Sequence, residues 1–410
     1  MRGAAAGLTV LTLINLLNYL DRYIVYAVLP QVEREFGLTH EKAGLVGSAF
    51  MLVYMVAAPL AGFLGDRVQR RHVVALSVFL WSLATVASGL AASFIALLAA
   101  RALIGIGEAG YGTAAPAVIA DLFPRQRRTR VLAFFYTAIP VGAALGYLLG
   151  GFVSEHWAWR AAFFVGGAPG LALAFLMLFA PEPSRGASDA GEPAPQRVPL
   201  REGLRLVGGN AIFWFNTIGL TLMTFSIGGL SVWMPTFLEL ERGMSPSQTG
   251  FGLSAVTAAA GFAGTIAGGL LGDWAERRRA GGGMWISGLG LLLAAPFMIA
   301  AATTRSPALI FVWMFAAQAL LFLNNGPINA AIVSCVSPAL RAFTMGLNTL
   351  LIHLLGDAIS PPVIGLIGRL SSLGRAIELN AIPVVIGGMV LVIGAAALGR
   401  RAAAPAPDPL

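Results

Sequence analysis

Long apolar runs recur along the whole chain, separated by short clusters of arginine, carboxylate, proline and glycine. The runs cover residues 8–30, 41–64, 73–93, 95–120, 130–154, 159–180, 208–237, 247–271, 283–303, 307–334, 342–369 and 378–399. Each approaches or exceeds the ~20 residues that carry an α-helix across the hydrocarbon core of a bilayer. Twelve transmembrane helices are predicted. One interval breaks the rhythm: PEPSRGASDAGEPAPQRVPLREGLR, starting at Pro181, mixes Pro, Gly and charge, as a solvated linker does. The expected division is an N-terminal six-helix bundle over 1–180, a cytoplasmic linker over 181–207, a C-terminal six-helix bundle over 208–400 and a disordered tail over 401–410.

The two halves repeat one another. Leu29-Pro30 ends the first run and Met234-Pro235 the seventh; Gly44 opens the second and Gly250 the eighth. Gly62-Phe-Leu-Gly-Asp66 ends the second and Gly269-Leu-Leu-Gly-Asp273 the eighth. All three landmarks recur at a separation of about 206 residues, the kind of internal symmetry found in secondary transporters.

Composition narrows the class. Of 410 residues, 57% are hydrophobic and 11% charged, against about 25% charged in a soluble domain. The net charge of +8 comes almost wholly from arginine, with Lys42 the one lysine. These arginines sit in short loops between apolar runs, so they read as a topology signal rather than a nucleic-acid surface. The loops after even-numbered spans, together with the linker, hold most of them. Their excess places both termini in the cytoplasm, and a bacterial-type inner membrane is the expected location. The first run carries Asp21 and Arg22 and is too long for a signal-peptide core, so a retained helix is expected. Cys335 has no second cysteine for a disulfide or metal cluster, and the four histidines are scattered. Gly105-Ile-Gly107 with Gly110 mimics a dinucleotide fingerprint but lies inside a membrane helix, where close helix packing accounts for it. No enzyme, cofactor, metal site or nucleotide-driven pump is expected.

The stretch Gly62-Phe-Leu-Gly-Asp66-Arg67-Val-Gln-Arg70-Arg71 resembles the loop motif between the second and third helices of the major facilitator superfamily, with Gln69 where a glycine is usual. The resemblance implies an all-α membrane protein, with twelve transmembrane helices in two pseudo-symmetric six-helix bundles. It also implies a cytoplasmic gate built from Gly62, Asp66, Arg67, Arg71 and, in the second copy, Asp273; the alternative is a loop that only fixes topology. Within the superfamily the chain is similar to the spinster family. The stretches that carry this are Asn18-Tyr-Leu-Asp-Arg-Tyr23, Arg101-Ala-Leu-Ile-Gly-Ile-Gly-Glu-Ala-Gly110, Leu340-Arg-Ala-Phe, and His353-Leu-Leu-Gly-Asp-Ala-Ile-Ser-Pro-Pro362. That likeness implies transport of lysolipids or sphingoid phosphates, in several cases coupled to protons, with the first and fourth helices lining a central cavity.

Four ionisable residues fall inside the N-terminal spans: Asp21, Arg22, Arg101 and Glu108. A charge at a helix centre costs at least ~2.5 kcal/mol unless it meets a partner or a cavity. From the helix rise, Asp21 lies ~13 Å, Arg101 ~9 Å and Glu108 ~20 Å below the outer edge. Moving an arginine toward or away from a buried carboxylate changes its proton affinity, which is the physical basis of proton coupling. Glu108 is the first candidate for the coupling site and Asp21 the second. Arg22, about 100° around the helix from Asp21, suits an anionic headgroup. Arg101, Tyr19, Tyr23, Tyr111, Asn324 and Asn325 are the further candidates for substrate contact, the asparagines equally well as helix-packing groups. His353 and Asp357, one turn apart near Pro361-Pro362, form a structural or functional pair. The expected activity is alternating-access, proton-coupled transport of a small amphipathic anion by a monomer among membrane lipids. The alternative is a proton-coupled antiporter of a soluble organic anion or drug.

Overall fold

The computed structural model describes residues 2–65, 68–123, 125–180, 199–337 and 340–403. Among these, twelve helices or helix pairs are long and apolar enough to cross a membrane. In chain order the elements of the first half are α1 (Arg2–Ala27), α2 (Leu29–Phe36), α3 (His40–Gly65), α4 (Arg70–Gly89), α5 (Phe94–Leu122), α6 (Arg125–Tyr136), α7 (Ala138–His156) and α8 (Trp159–Met177). Then follow α9 (Leu200–Gly208), α10 (Ala211–Leu240), α11 (Pro246–Arg278), α12 (Gly282–Thr303), α13 (Pro307–Phe322), α14 (Asn325–Ser334) and α15 (Arg341–Ile352). A π-helical turn over His353–Asp357 leads into α16 (Ser360–Leu370), α17 (Leu373–Leu379) and α18 (Ala381–Ala403).

The differences from the sequence reading have local causes. The first span stops at Ala27, and α2 starts afresh with Pro30 in its first turn, where a missing N–H costs nothing. The tenth span breaks between α13 and α14 at Leu323-Asn324, ahead of Pro327. The twelfth breaks at Asn380, whose side chain donates to the Ser226 carbonyl at 3.0 Å while Ser226 donates to the Asn380 carbonyl at 3.1 Å. Ser226 is the position that matches Asp21 in the repeat; here it fastens two helices together. Residues 200–207, read as linker, lie in α9.

The chain forms two compact units. Unit 1 comprises Met1–Pro193, Leu230–Ala258 and Pro361–Leu373; unit 2 comprises Ala194–Gly229, Ala259–Ser360 and Gly374–Leu410. Unit 1 thus takes in the C-terminal end of α10, the N-terminal part of α11 and nearly all of α16 from beyond the expected linker. In unit 1, α1 packs on α7, α3 on α5, and α4 on α5 and α8; in unit 2, α12 packs on α13 and α18.

Small residues set these distances. A Cβ at Gly146 would stand 2.6 Å from the Leu20 carbonyl oxygen, and one at Gly150 would stand 2.7 Å from Ala27 Cβ. The two glycines are one turn apart on α7 and let α1 lie flat against it. On α5, a Cβ at Gly105 would meet the Phe50 carbonyl at 2.6 Å and one at Gly107 the Ser77 carbonyl at 2.9 Å. Backbones of α3 and α4 therefore occupy the space beside the stretch that mimics a dinucleotide fingerprint. Gly146→Val forces α1 from α7 at a cost of about 1–3 kcal/mol. Its thermal unfolding midpoint in detergent should fall clearly below wild type; an unchanged midpoint would contradict this packing.

Candidate functional site: the buried charges of unit 1

The site is built on α1 and α5, with α3, α4 and α8 closing it. All four predicted ionisable residues meet here. Glu108 is not held by Arg101, seven residues away on its own helix. Its Oε2 accepts from Arg22 Nε at 2.7 Å, across from α1 to α5. The Glu108 side chain is wholly buried and that of Arg22 is 16% exposed. Arg22, read from the sequence as suited to an anionic headgroup, is thus also engaged by a carboxylate. Its one hydrogen bond among the described residues is through Nε, leaving the terminal nitrogens of the guanidinium for another acceptor.

Aromatic rings surround that guanidinium. Its carbon lies 4.9 Å from the centre of the Tyr19 ring, 4.8 Å from Phe50 and 5.3 Å from Tyr54. Such rings attract a cation while excluding water from it. The Arg101 guanidinium lies 5.2 Å from the same Phe50 ring. Arg101 is fully buried, and none of its three side-chain nitrogens has a hydrogen-bond acceptor among the described residues. A buried cation so placed is expensive.

Asp21 is also buried. Thr85 on α4 donates to its Oδ2 at 3.1 Å, while Oδ1 has no donor. Gly166 on α8 makes room for it, since a Cβ there would stand 2.8 Å from Oδ1. Sequence reasoning missed Thr85, Phe50 and Gly166. One signal was available: Ser82, Thr85 and Ser88 recur at a spacing of three along an apolar run, and all are buried.

The other candidates are placed differently. Tyr111 is buried in the helix packing, donating to the Leu11 carbonyl at 2.8 Å with its ring edge-on to Trp81. Tyr23 packs edge-on between Tyr26 and Tyr147. Asn324 and Asn325 belong to unit 2, where Asn324 is fully buried against Met223 and Asn325 donates to Thr265 at 3.3 Å. His353 Nδ1 lies 3.0 Å from Asp357 Oδ2 across the π-helical turn, also in unit 2.

Of the gate candidates, Asp66 and Arg67 lie outside the described residues, and of Gly62 only its place in α3 is described. Arg71 Nε donates to Gln69 at 3.2 Å, and its neighbour Arg70 pairs with Asp121 of α5. Asp273 lines a cleft of about 280 Å³ in unit 2. Next to it, Glu276 closes the turn into α12 by accepting from the Gly281 and Gly283 amides at 3.1 and 2.8 Å. Where the first copy has a basic residue, Trp274 carries the Arg278 guanidinium 4.2 Å from its ring centre.

The α2 end of unit 1 is stitched together by hydrogen bonds and ion pairs, Arg34 and Arg369 among them. Tyr147 donates to the Ser231 carbonyl and Trp233 to the Pro361 carbonyl, both at 2.7 Å. His40 pairs with Glu33 at 2.9 Å, Arg369 with Glu41 at 3.1 Å, and Arg34 approaches the buried Glu239 at 3.9 Å. Glu155 accepts from the Ser247 amide and Glu241 from the Leu373 amide, both at 2.6 Å. These bonds fasten α10, α11 and α16 to α2, α3 and α7. Beside them, the Arg160 guanidinium and the Trp159 N–H, each 2.6 Å from Glu35, hold its carboxyl below the ordinary glutamate value of 4.5. A lowered value stabilises the fold above the unfolded-state pKa, and that stability is lost as pH falls through the folded-state pKa. Glu35→Gln should therefore melt slightly below wild type at pH 7 and converge with it in acid. A gap that persists below pH 3 would assign the difference to something other than this charge.

Comparison with known proteins agrees with this architecture. Residues 11–361 match the Major Facilitator Superfamily. The protein spinster of Drosophila melanogaster is 34% identical over 372 residues, 88% of this chain; the chain spans 61% of that relative's length. The sphingosine-1-phosphate transporter SPNS2 of Mus musculus is 33% identical over 414 residues, covering 93% of this chain and 75% of the relative. The crystal structure of a bacterial homologue of the human lysosomal transporter spinster, inward-facing and unoccupied, superposes with a TM-score of 0.89. It shares 26% identity over 98% of this chain and 99% of that one. Its occupied, inward-facing form gives 0.82, also at 26% identity, over 98% and 97%. The chain is an integral membrane transporter, not an enzyme, and belongs to the spinster family of the major facilitator superfamily.

Proposed function

We propose that this chain carries an amphipathic anion, of lysolipid or sphingoid-phosphate type, across the membrane together with protons, by alternating access. The observation that carries the reading is the single bond from Arg22 Nε to the buried Glu108, with the rest of the guanidinium turned into a ring of Tyr19, Phe50 and Tyr54. Glu108 and an anionic headgroup compete for one cation. Protonation of Glu108 removes its charge and frees Arg22 for the headgroup, so proton and anion bind cooperatively. Guanidinium suits phosphate or carboxylate because its planar edge offers two parallel donors. Aromatic walls suit the adjoining apolar part of such a molecule.

Arg101 and Asp21 complete the scheme. Arg101, buried without an acceptor, is a second counter-charge that Glu108 or Asp21 meets when the helices shift. Asp21, held by Thr85, is the second proton site. Both termini face the cytoplasm in this reading, which the arginine asymmetry of the loops supports. The bonded α2 end of unit 1 then lies on the outer side, and the stretch with Asp66, Arg67 and Arg71 acts as the cytoplasmic latch. The name of one relative, a sphingosine-1-phosphate transporter, supports an anionic lipid headgroup.

The test is equilibrium binding of a lysophosphatidate or a sphingoid phosphate to the purified protein across a pH series. Binding should strengthen as pH falls toward the point where the ligand's own phosphate titrates. A neutral monoacylglycerol of equal chain length should show no such trend. Equal pH response for charged and neutral ligands would remove the Arg22–Glu108 competition.

A further inference from the structure

We propose that α9 and the first turn of α15 form a binding surface for anionic glycerophospholipids in the leaflet beside the arginine-rich loops. Helix α9 precedes the seventh span, so it lies on the same side as the loops after the second and fourth spans. It is held at the membrane edge by its neighbours. Asn210 caps α10, accepting from the Ile212 and Phe213 amides at 3.0 and 3.2 Å, and donates to the Cys335 carbonyl at 2.7 Å. Trp214, in the first turn of α10, donates back to the Gly208 carbonyl at 2.8 Å. A half-exposed tryptophan at the mouth of a span is an interfacial anchor.

The helix itself has two faces. Gly203 and Val207, one turn apart, are buried; a Cβ at Gly203 would meet Phe343 at 3.3 Å and Leu340 at 3.6 Å. Leu204 and Leu206 flank that line at about 100° on either side and are 46% and 52% exposed. The apolar arc is thus wider than the protein surface it rests on, leaving a leucine on each flank for acyl chains. Arg201 and Arg205, also one turn apart, are exposed on the opposite face, and Arg341 is exposed beside Leu340 at the start of α15. None of the three arginines has an ion-pair partner among the described residues. Glu202 is the one carboxylate on the helix. Apolar flanks at the acyl boundary with a cationic face among headgroups are the signature of a helix lying in the membrane plane. Each arginine near an anionic leaflet adds electrostatic attraction. The chemistry that satisfies both faces together is a lipid with an anionic phosphate headgroup.

Nitroxide depth measurement tests this. Leu204→Cys in a Cys335→Ser background is spin-labelled and reconstituted into phosphatidylcholine vesicles, with or without about one third phosphatidylglycerol. In the anionic vesicles the ratio of oxygen to nickel-chelate accessibility should rise at least twofold over pure phosphatidylcholine. Arg201→Gln/Arg205→Gln/Arg341→Gln should abolish that rise. The same ratio in both lipids, with the arginines intact, would overturn the proposal without reference to any variant. A rise that survives the triple substitution would overturn the role of the arginines.

Discussion

Glu108→Gln should abolish accumulation driven by a pH gradient while leaving substrate binding and exchange in place. The bond that carries this expectation is Arg22 Nε to Glu108 Oε2 at 2.7 Å, between groups shielded from water. Glutamine keeps the size and one acceptor oxygen but no longer carries the charge that competes with an anionic ligand for Arg22. The variant mimics the protonated carrier in every step. It should bind an anionic amphiphile about as tightly at pH 8 as at pH 6, where wild type loses affinity as Glu108 ionises. It should also exchange labelled for unlabelled substrate, because exchange needs no proton release. Accumulation equal to wild type under the same imposed gradient would move the coupling role to Asp21.

Arg22→Ala should have the larger effect on binding and should also disturb coupling. Considered alone along α1, Arg22 would serve the headgroup only, and its loss would spare proton movement. Its bond to Glu108 changes that expectation. Removing the guanidinium strips the substrate of its cation and leaves an ionised carboxylate buried without its partner, a change that costs about 3–5 kcal/mol for a buried pair. Without that partner, Glu108 no longer exchanges its proton in step with the anion. Calorimetric affinity for the anionic ligand should drop at least 100-fold, and proton movement should fall with it. The double variant Arg22→Ala/Glu108→Gln relieves the stranded charge, so its thermal stability should recover toward wild type while binding stays weak. A double variant no more stable than Arg22→Ala would show that the pair does not act as a unit.

The membrane fold was legible because lipid imposes a simple rule: twenty or so apolar residues per crossing, with charge confined to the loops. The breaks at Val28, Leu323-Asn324 and Asn380 were not, since each depends on how a proline or a buried polar pair is met by a neighbouring helix. In the site, intramembrane charge pointed to Asp21, Arg22, Arg101 and Glu108 without any structure, because such residues are too costly to keep idle. Which of them pair was hidden. Helix spacing relates Arg101 to Glu108 on one helix, whereas the observed bond runs between α1 and α5 and depends on packing that spacing does not encode. Tyr111, one turn beyond Glu108, places its hydroxyl on the Leu11 carbonyl and its ring against Trp81, partners that spacing does not encode either. Thr85 is a lone hydroxyl among many, and only the buried carboxylate beside it gives it meaning.

Proton movement driven by substrate alone tests the coupling most directly. Purified protein in sealed vesicles carrying an internal pH dye, with no initial pH gradient and the membrane potential clamped, receives an anionic lysolipid on one side only. Coupled transport through Arg22 and Glu108 predicts acidification of the compartment that gains the lipid, abolished by Glu108→Gln. Lipid transfer at wild-type rate with no pH change in the unaltered protein would contradict it.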